Sequence, residues 1–296
     1  MEAPTGWRLW LTAARPRTLS IAVAPVLVGT ALAWRQAGTF HAAPTLAALA
    51  GAMLIQIGTN LHNDAADAVT GGDPPSRRGP PRVTTSGWAS PARVRRAAAL
   101  AFALAALVGL YLAAIGGWPI AALGAASLVA GWAYSGGPWP ISHSPFGEVV
   151  VVLFFGIAAV AGTAWLQIQA WLPATLPLAL AMGLPAAAVL TVNNTRDIDV
   201  DRLAGRRTLS ILVGAAASRR IYALAMLAPF ALLAAAPPGA WMGLAALPFA
   251  WRLVAGFPPD GSGEDFNRLL AATARCQLLL AALVGLGMVL ISWRAG

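Results

Sequence analysis

Long apolar runs with almost no charge recur from one end of the chain to the other, separated by short polar stretches. Such runs indicate membrane-spanning helices, which need about 20 mainly apolar residues. Several runs are shorter, so we expect their helices to extend into the flanking polar residues. The pattern predicts an all-α, polytopic membrane helix bundle of about nine spans: Leu19–Trp34, Pro44–Asn60, Ala97–Ile115, Trp118–Trp132, Val149–Gln167, Leu172–Val192, Ile221–Ala236, Ala240–Val254 and Leu269–Ile291.

The composition excludes a soluble or disordered protein. Of the 296 residues, 58% are hydrophobic and only 10% are charged, whereas an average soluble domain carries about 25% charged residues. A soluble domain would have too few charges to cover its surface, and a disordered chain could not leave so much apolar surface unburied. The single Cys276 excludes an intramolecular disulfide and a paired-cysteine metal site.

The 20 basic residues are all arginines, and their distribution along the chain is asymmetric. With the N-terminus placed in the cytoplasm, all of them except Arg35 and Arg294 lie on the cytoplasmic side. This is the positive-inside pattern of membrane proteins. A net charge of +9 could indicate a nucleic acid partner, but arginines at the ends of apolar runs favour a lipid bilayer and no nucleic acid.

The acidic residues concentrate in two clusters, each directly after an apolar run. The clusters are Asp64, Asp67 and Asp73 after the second run, and Asp197, Asp199 and Asp201 after the sixth. Because those two spans cross in the same direction, both clusters lie on the cytoplasmic side. Their matched positions predict one domain over 1–296, built from two pseudo-repeated four-helix units and a final helix.

The spacing of the acidic residues within each cluster indicates what the clusters could bind. Two sets of side chains would each share one helix face: Asn60, Asp64 and Asp67, and Asn193, Asp197 and Asp201. Like charges at this spacing repel each other, so a hard divalent cation with oxygen ligands is the natural counter-ion. Mg²⁺ takes only one or two protein carboxylates and completes its shell with water and phosphate oxygens. The pattern therefore predicts a metal bound together with a diphosphate.

Arginines accompany both clusters. Those after the first are Arg77, Arg78 and Arg82, and those around the second are Arg196, Arg202, Arg206 and Arg207. Guanidinium groups bind phosphate oxygens bidentately, and with a metal they would stabilise a departing diphosphate. Each arginine could also simply follow the topology rule. That explanation does not extend to matched carboxylates at span ends, which are costly unless they are used.

Four segments carry a family resemblance. They are Ala14–Leu19 with Ala24–Gly29, Asn60–Asp67 continuing to Asp73 and Arg82, Tyr134–Pro138 with Gly147-Glu148, and Asn193–Arg202 with Gly205–Leu209. They resemble the UbiA superfamily of intramembrane prenyltransferases, and within it the 1,4-dihydroxy-2-naphthoate polyprenyltransferase branch. Gly71 stands where other branches carry the last Asp of their first motif, and Asp73 follows instead. This departure favours the naphthoate branch.

The resemblance implies a nine-helix bundle in the bacterial inner membrane, with a central cavity open to the cytoplasm. It implies Mg²⁺, polyprenyl diphosphate as the donor and dihydroxynaphthoate as the acceptor. The products would be diphosphate, CO₂ and a demethylmenaquinol for menaquinone biosynthesis.

The same resemblance assigns roles to individual residues. The catalytic and metal-binding residues would be Asp64, Asp67, Asp197 and Asp201. The diphosphate-binding residues would be Asn60, Arg77, Arg82, Asn193, Arg196 and Arg207. Tyr134, Glu148 and His62 are candidates for the pocket that holds the acceptor or the allylic cation, with a structural role for His62 left open.

Two alternatives remain at this point. The same chemistry could act on another aromatic acceptor, such as 4-hydroxybenzoate. Paired carboxylates could instead form the cation site of a transporter, although a transporter places its acids near the bilayer midplane, whereas these lie at helix ends on one side. No motif specifies the prenyl chain length or the oligomeric state.

Overall fold

The computed structural model describes residues 4–71, 78–259 and 261–293, and helices make up most of these ranges, which contain no β-strand. The α-helices are α1 (Trp7–Ala14), α2 (Pro16–Ala37), α3 (Ala42–Thr70), α4 (Pro91–Gly116), α5 (Trp118–Ala133), α6 (Gly147–Val152), α7 (Ala159–Ile168), α8 (Thr175–Arg196), α9 (Ile198–Leu203), α10 (Leu209–Leu232), α11 (Leu247–Ala255) and α12 (Gly263–Trp293). A π-helical segment, Leu153–Ala158, joins α6 to α7.

Seven helical stretches in the described residues are long and apolar enough to cross a membrane. They are α2, α3, α4, Gly147–Ile168, α8, Leu209–Ala235 and Gly263–Ile291. Two shorter apolar stretches, Trp118–Ala133 and Ala240–Ala255, coincide with the fourth and eighth predicted spans. The prediction of an all-helical, multi-pass membrane protein is confirmed. Full crossing by the two shorter stretches stays a prediction.

The helix ends differ from the predicted ones where the motifs lie. Helix α3 continues past Asn60 to Thr70, so the first motif belongs to the helix instead of following it. Helix α8 ends at Arg196, and Asp197 leaves helical geometry (φ −100°, ψ 9°) before α9 begins. Helix α10 begins at Leu209, well before the predicted Ile221, and bends at Gly214, whose φ is +79°.

Helix α8 lies at the centre of the main core and packs against α10, α12 and the π-helical segment. Leu178 and Met182 of α8 are fully buried in a core shared with α2, α10 and α12. Helix α8 crosses the π-helical segment at Gly183 and Gly156, where a Cβ on Gly156 would lie 2.5 Å from the Ala179 carbonyl oxygen. Small residues of this kind let membrane helices approach closely.

Candidate active site

The polar residues of the first motif occupy the last turns of α3 and are buried against neighbouring segments. The Asn60 side-chain amide donates to the Ala14 carbonyl oxygen at 3.0 Å. The Asn63 amide donates to the Ser135 hydroxyl at 2.7 Å, and its oxygen accepts from Arg82 at 2.5 Å. These bonds bring α1, the segment after α5 and the loop before α4 together. We call this end of the bundle the motif end.

Asp64 holds the turn that carries Arg82. Its Oδ2 accepts the Val83 backbone N–H at 3.1 Å, and its Oδ1 accepts the Thr84 backbone N–H at 3.4 Å. The Thr84 hydroxyl donates to the same carboxylate. The aspartate and the threonine are both buried. Asp64 therefore fixes the position of Arg82 relative to α3.

Thr84→Val should loosen this turn. It removes a buried hydrogen bond to a charged acceptor, so we expect a loss of about 1–3 kcal/mol of stability. The apparent Tm in detergent should then fall by at least about 2 °C. The matched control is Thr85→Val, because Thr85 is exposed. Equal melting temperatures for the two variants, measured by thermal-shift fluorescence, would contradict this role for Asp64.

In the second motif, Arg196 binds three partners with its guanidinium group. It donates to both Asp197 carboxylate oxygens, at 2.9 and 2.5 Å. It also donates to the Asn193 side-chain oxygen at 2.8 Å and to the Asn267 side-chain oxygen of α12 at 2.6 Å. Arg196 thus ties α8 to α12 and holds Asn193 and Asp197 in place.

Arg206 connects the two motifs. Its guanidinium lies 2.7 Å from Asp67 Oδ1 and 3.2 Å from Asp201 Oδ1. Asp67 also forms an ion pair with Arg82 at 2.9 Å. Gly205, with φ +74°, makes the turn after α9 that brings Arg206 back toward the carboxylates. The two halves of the motif end therefore meet through one guanidinium group.

The carboxylates at this junction are suited to a further cation. Burial raises the pKa of Asp201 to about 6, although Arg206 opposes the shift. Within residues 4–71, 78–259 and 261–293, no three His, Cys, Asp or Glu side chains form a metal site by themselves. Mg²⁺ needs only one or two protein carboxylates when phosphate and water complete its shell. The oxygen-only donors around Asp67 and Asp201 fit that arrangement.

Arg207, one of the predicted phosphate-binding arginines, differs from Arg206 in its placement. The Arg207 side chain is exposed, and its backbone N–H donates to the His143 carbonyl oxygen at 2.9 Å. Arg77 lies outside the described residues, as does Asp73. The sequence places Arg206 near the second motif but does not single it out as a phosphate-binding residue. The signal that could have found it was Gly205, which reverses the chain just before Arg206.

The candidate acceptor residues lie at the motif end with different access to the interior. Tyr134 lines the central cavity. Glu148 is buried, and its Oε1 accepts the Asn194 side-chain amide at 2.9 Å. Asn194, which the sequence reasoning did not select, lines the cavity in front of Glu148. His62 is half-buried and stacks on Trp132, with ring centroids 6.2 Å apart.

A cavity of about 570 Å³ extends from the motif end into the bundle. Its polar wall includes Arg15, Asn60, Asn63, Arg82, Asn193, Asn194, Asp197, Asp201 and Arg206. The rest is mostly apolar and formed by α2, α3, α4, α5, α8 and the Gly147–Ile168 stretch. The π-helical segment turns two consecutive aromatic side chains, Phe154 and Phe155, toward this space. The cavity thus joins a charged, polar end to an apolar interior.

Comparison with known proteins agrees with this architecture. The sequence profile of the UbiA prenyltransferase family matches residues 22–257. A 1,4-dihydroxy-2-naphthoate octaprenyltransferase from Escherichia coli is 36% identical, covering 97% of this chain and 96% of the relative. A protein of the same name from Mycobacterium tuberculosis is 38% identical, covering 93% and 94%. A solved UbiA homologue from Archaeoglobus fulgidus, bound to GPP and Mg²⁺, has a TM-score of 0.66 and 15% identity, covering 95% of this chain and 99% of that one.

Proposed function

Because this chain belongs to the UbiA prenyltransferase family, we propose that it transfers a polyprenyl group from polyprenyl diphosphate to 1,4-dihydroxy-2-naphthoate. The reaction releases diphosphate and CO₂ and gives demethylmenaquinol, a step of menaquinone biosynthesis. The observation that carries the proposal is the cavity that joins arginines, carboxylates and amides to an apolar interior. The names of the two bacterial relatives support the naphthoate acceptor and do not favour 4-hydroxybenzoate or cation transport.

We propose Mg²⁺ as the cofactor, with each ion held by one or two of the four carboxylates Asp64, Asp67, Asp197 and Asp201. Asp67 and Asp201 are separated by a single guanidinium group. Asp64 and Asp197 already accept hydrogen bonds, but a carboxylate offers about four lone-pair sites and can still accept more. When bound, Mg²⁺ offsets the negative charge that builds on the departing diphosphate.

The diphosphate is bound by side chains of this chain that already lie at the motif end. Arg82 and Arg206 exchange part of their contact with Asp67 for phosphate oxygens, which guanidinium groups bind bidentately. The Asn60 and Asn193 side chains line the same wall, and Arg196 keeps Asn193 in position. The roles of Arg77 and Arg207 in diphosphate binding stay predictions.

During the transfer step, water must be kept away from the allylic cation. The allylic C–O bond breaks with its electron pair leaving on diphosphate, and the naphthol ring forms the new C–C bond to the allylic carbon. CO₂ then departs, and its bonding pair restores the aromatic ring. The apolar wall excludes water, and the faces of Tyr134, Phe154 and Phe155 stabilise the cation. Burial raises the pKa of the Tyr134 hydroxyl, so Tyr134 stays neutral.

The acceptor binds between Tyr134 and Asn194. Glu148 fixes the Asn194 amide, so the Asn194 side-chain oxygen is oriented to accept from an acceptor hydroxyl. His62 supports the same wall through its stacking on Trp132. The arginine asymmetry supports placing this site on the cytoplasmic side of a bacterial inner membrane.

An assay of the detergent-purified protein tests the function directly. Polyprenyl diphosphate and Mg²⁺ are supplied with dihydroxynaphthoate or with 4-hydroxybenzoate. We expect prenylated naphthol and CO₂ only with dihydroxynaphthoate, and no product after EDTA treatment or with Asp197→Asn. Turnover of 4-hydroxybenzoate alone would overturn the acceptor assignment, and turnover in EDTA would overturn the role of the metal.

A further inference from the structure

A second groove lies on the outside of the bundle, between α10 and α11. It encloses about 600 Å³ and shares no lining residue with the central cavity. Its α10 side is a stripe of side chains three or four residues apart, which share one helix face: Ala216, Arg219, Arg220 and Ala223. The small alanines leave open space, and both arginines are exposed beside it. The groove therefore carries two positive charges at its edge.

The opposite wall of this groove is apolar and aromatic. Trp251 and Val254 of α11 line it, and Trp251 is 60% exposed. Phe257, which follows α11, also lines the groove but is itself buried. Its ring packs against those of Tyr222 and Phe266, with centroids 5.0 and 5.9 Å away. Because these rings fix the wall, the groove is a preformed part of the fold.

The groove lies where the membrane meets water. Its two arginines belong to the Leu209–Ala235 stretch, which is long and apolar enough to cross a membrane. An exposed tryptophan such as Trp251 is typical of the membrane–water interface. Phe266 directly precedes Asn267, whose side chain contacts Arg196, so the groove is next to the motif end. Its charged edge thus faces the headgroup layer, and its apolar wall faces the acyl chains.

The charge of the two arginines is uncompensated. Across the described ranges, no Asp or Glu carboxylate forms an ion pair with Arg219 or Arg220. Arg268, an exposed arginine near the start of α12, does have such partners, in Glu264 and Asp265. Two unpaired guanidinium groups beside an apolar wall are complementary to an anionic group that is attached to apolar chains.

We propose that this groove binds an anionic phospholipid, with Arg219 and Arg220 on its phosphate and its acyl chains along the apolar wall. Guanidinium groups bind phosphate oxygens bidentately, and basic pockets between membrane helices recognise anionic headgroups. A zwitterionic lipid fits less well, because its ammonium group adds positive charge beside two guanidinium groups. The lipid site is separate from the central cavity, so it does not depend on the proposed prenyl transfer.

Arg219→Gln/Arg220→Gln removes both charges from the groove. The purified protein is titrated in detergent with dioleoylphosphatidylglycerol or dioleoylphosphatidylcholine, and its Tm is followed by thermal-shift fluorescence. For phosphatidylglycerol, the concentration at half the maximal Tm shift should rise about 30-fold, because each arginine near an anionic headgroup contributes a factor of about five. The matched control is Arg95→Gln/Arg96→Gln, an adjacent exposed pair on α4 that lines neither pocket. Its half-maximal concentration should stay within about twofold of wild type.

Ala223→Trp tests the shape of the lipid site with both arginines in place. The larger side chain fills the groove from α10, so phosphatidylglycerol binding should weaken by at least about fivefold through overpacking. Leu224→Trp is the control, because Leu224 is 69% exposed and lies outside the groove lining. Native mass spectrometry counts the bound phospholipid in each variant. This pair decides the question if the double arginine variant does not fold.

Three results would overturn the lipid site. The first is an equal half-maximal phosphatidylglycerol concentration in the groove variants and their controls. The second is a Tm shift from phosphatidylcholine as large as that from phosphatidylglycerol. The third is the same shift from inorganic phosphate at the same concentration, which would assign the groove to free phosphate. An inactive protein that shows the expected lipid shifts would overturn the proposed function and leave the lipid site supported.

Discussion

Asp201→Asn should lower kcat by about 10²–10³-fold, the loss expected when one preorganised group that stabilises transition-state charge is removed. Asp201 is buried at the junction of the two motifs and contacts Arg206. An amide keeps the shape of the side chain but removes the charge that would hold Mg²⁺ and orient Arg206. The residual activity should also need at least about tenfold more Mg²⁺ for half-saturation.

The control for this variant lies two residues away. Asp199 is on the same short helix, α9, but is exposed, so Asp199→Asn should keep the wild-type rate within about twofold. Both variants remove one negative charge, so a general electrostatic effect would appear equally in both. Initial rates of naphthol prenylation across a Mg²⁺ titration provide the comparison. Equal rates for Asp201→Asn and wild type would contradict a role of this carboxylate in the reaction.

The helices themselves could be predicted from the sequence, because lipid imposes a simple rule. Backbone groups must be satisfied internally, so a long apolar run has few alternatives to a helix. Each predicted span overlaps a helical stretch. The pseudo-repeat of two four-helix units stays a prediction.

The helix ends could not be read from apolarity. The end of α3 continues through polar residues because Asn63, Asp64 and Asp67 find partners outside the helix. Those partners lie up to 139 residues away in sequence, at Arg206. Hydropathy measures only the local chain, so it ends the span at Asn60.

The site could be predicted as a set of residue types but not as a set of contacts. The motifs selected Asp64, Asp67, Asp197 and Asp201, and the fold buries all four at one end of the bundle. They did not indicate that Asp64 is engaged by the turn at Val83 and Thr84. They also could not distinguish Arg206 from Arg207. Adjacent residues point in different directions, and here the direction depends on the left-handed turn at Gly205.

Arg206→Gln should reduce kcat/KM for the prenyl diphosphate by about 10²–10³-fold, and more than Arg207→Gln does. The Arg206 guanidinium is partly buried and bridges Asp67 and Asp201, whereas the Arg207 side chain is exposed. The substitution removes a guanidinium group that can bind phosphate oxygens. It also leaves two buried carboxylates, Asp67 and Asp201, with less positive charge around them. An uncompensated buried charge can cost about 3–5 kcal/mol. The folded fraction of each variant is therefore measured first, by size-exclusion chromatography and thermal shift.

Two further substitutions, together with Arg207→Gln, separate the causes of this loss. Arg206→Lys keeps the positive charge but cannot bridge two carboxylates as the planar guanidinium does, so we expect a rate between those of wild type and Arg206→Gln. Arg202→Gln removes an exposed arginine from α9 and should leave kcat/KM within about twofold. If instead Arg207→Gln causes the larger loss in a folded protein, the phosphate-binding role passes to Arg207, as the sequence motif alone predicts. Whether Arg206→Gln or Arg207→Gln loses more kcat/KM thus decides whether the guanidinium group that bridges the two motifs also binds the donor diphosphate.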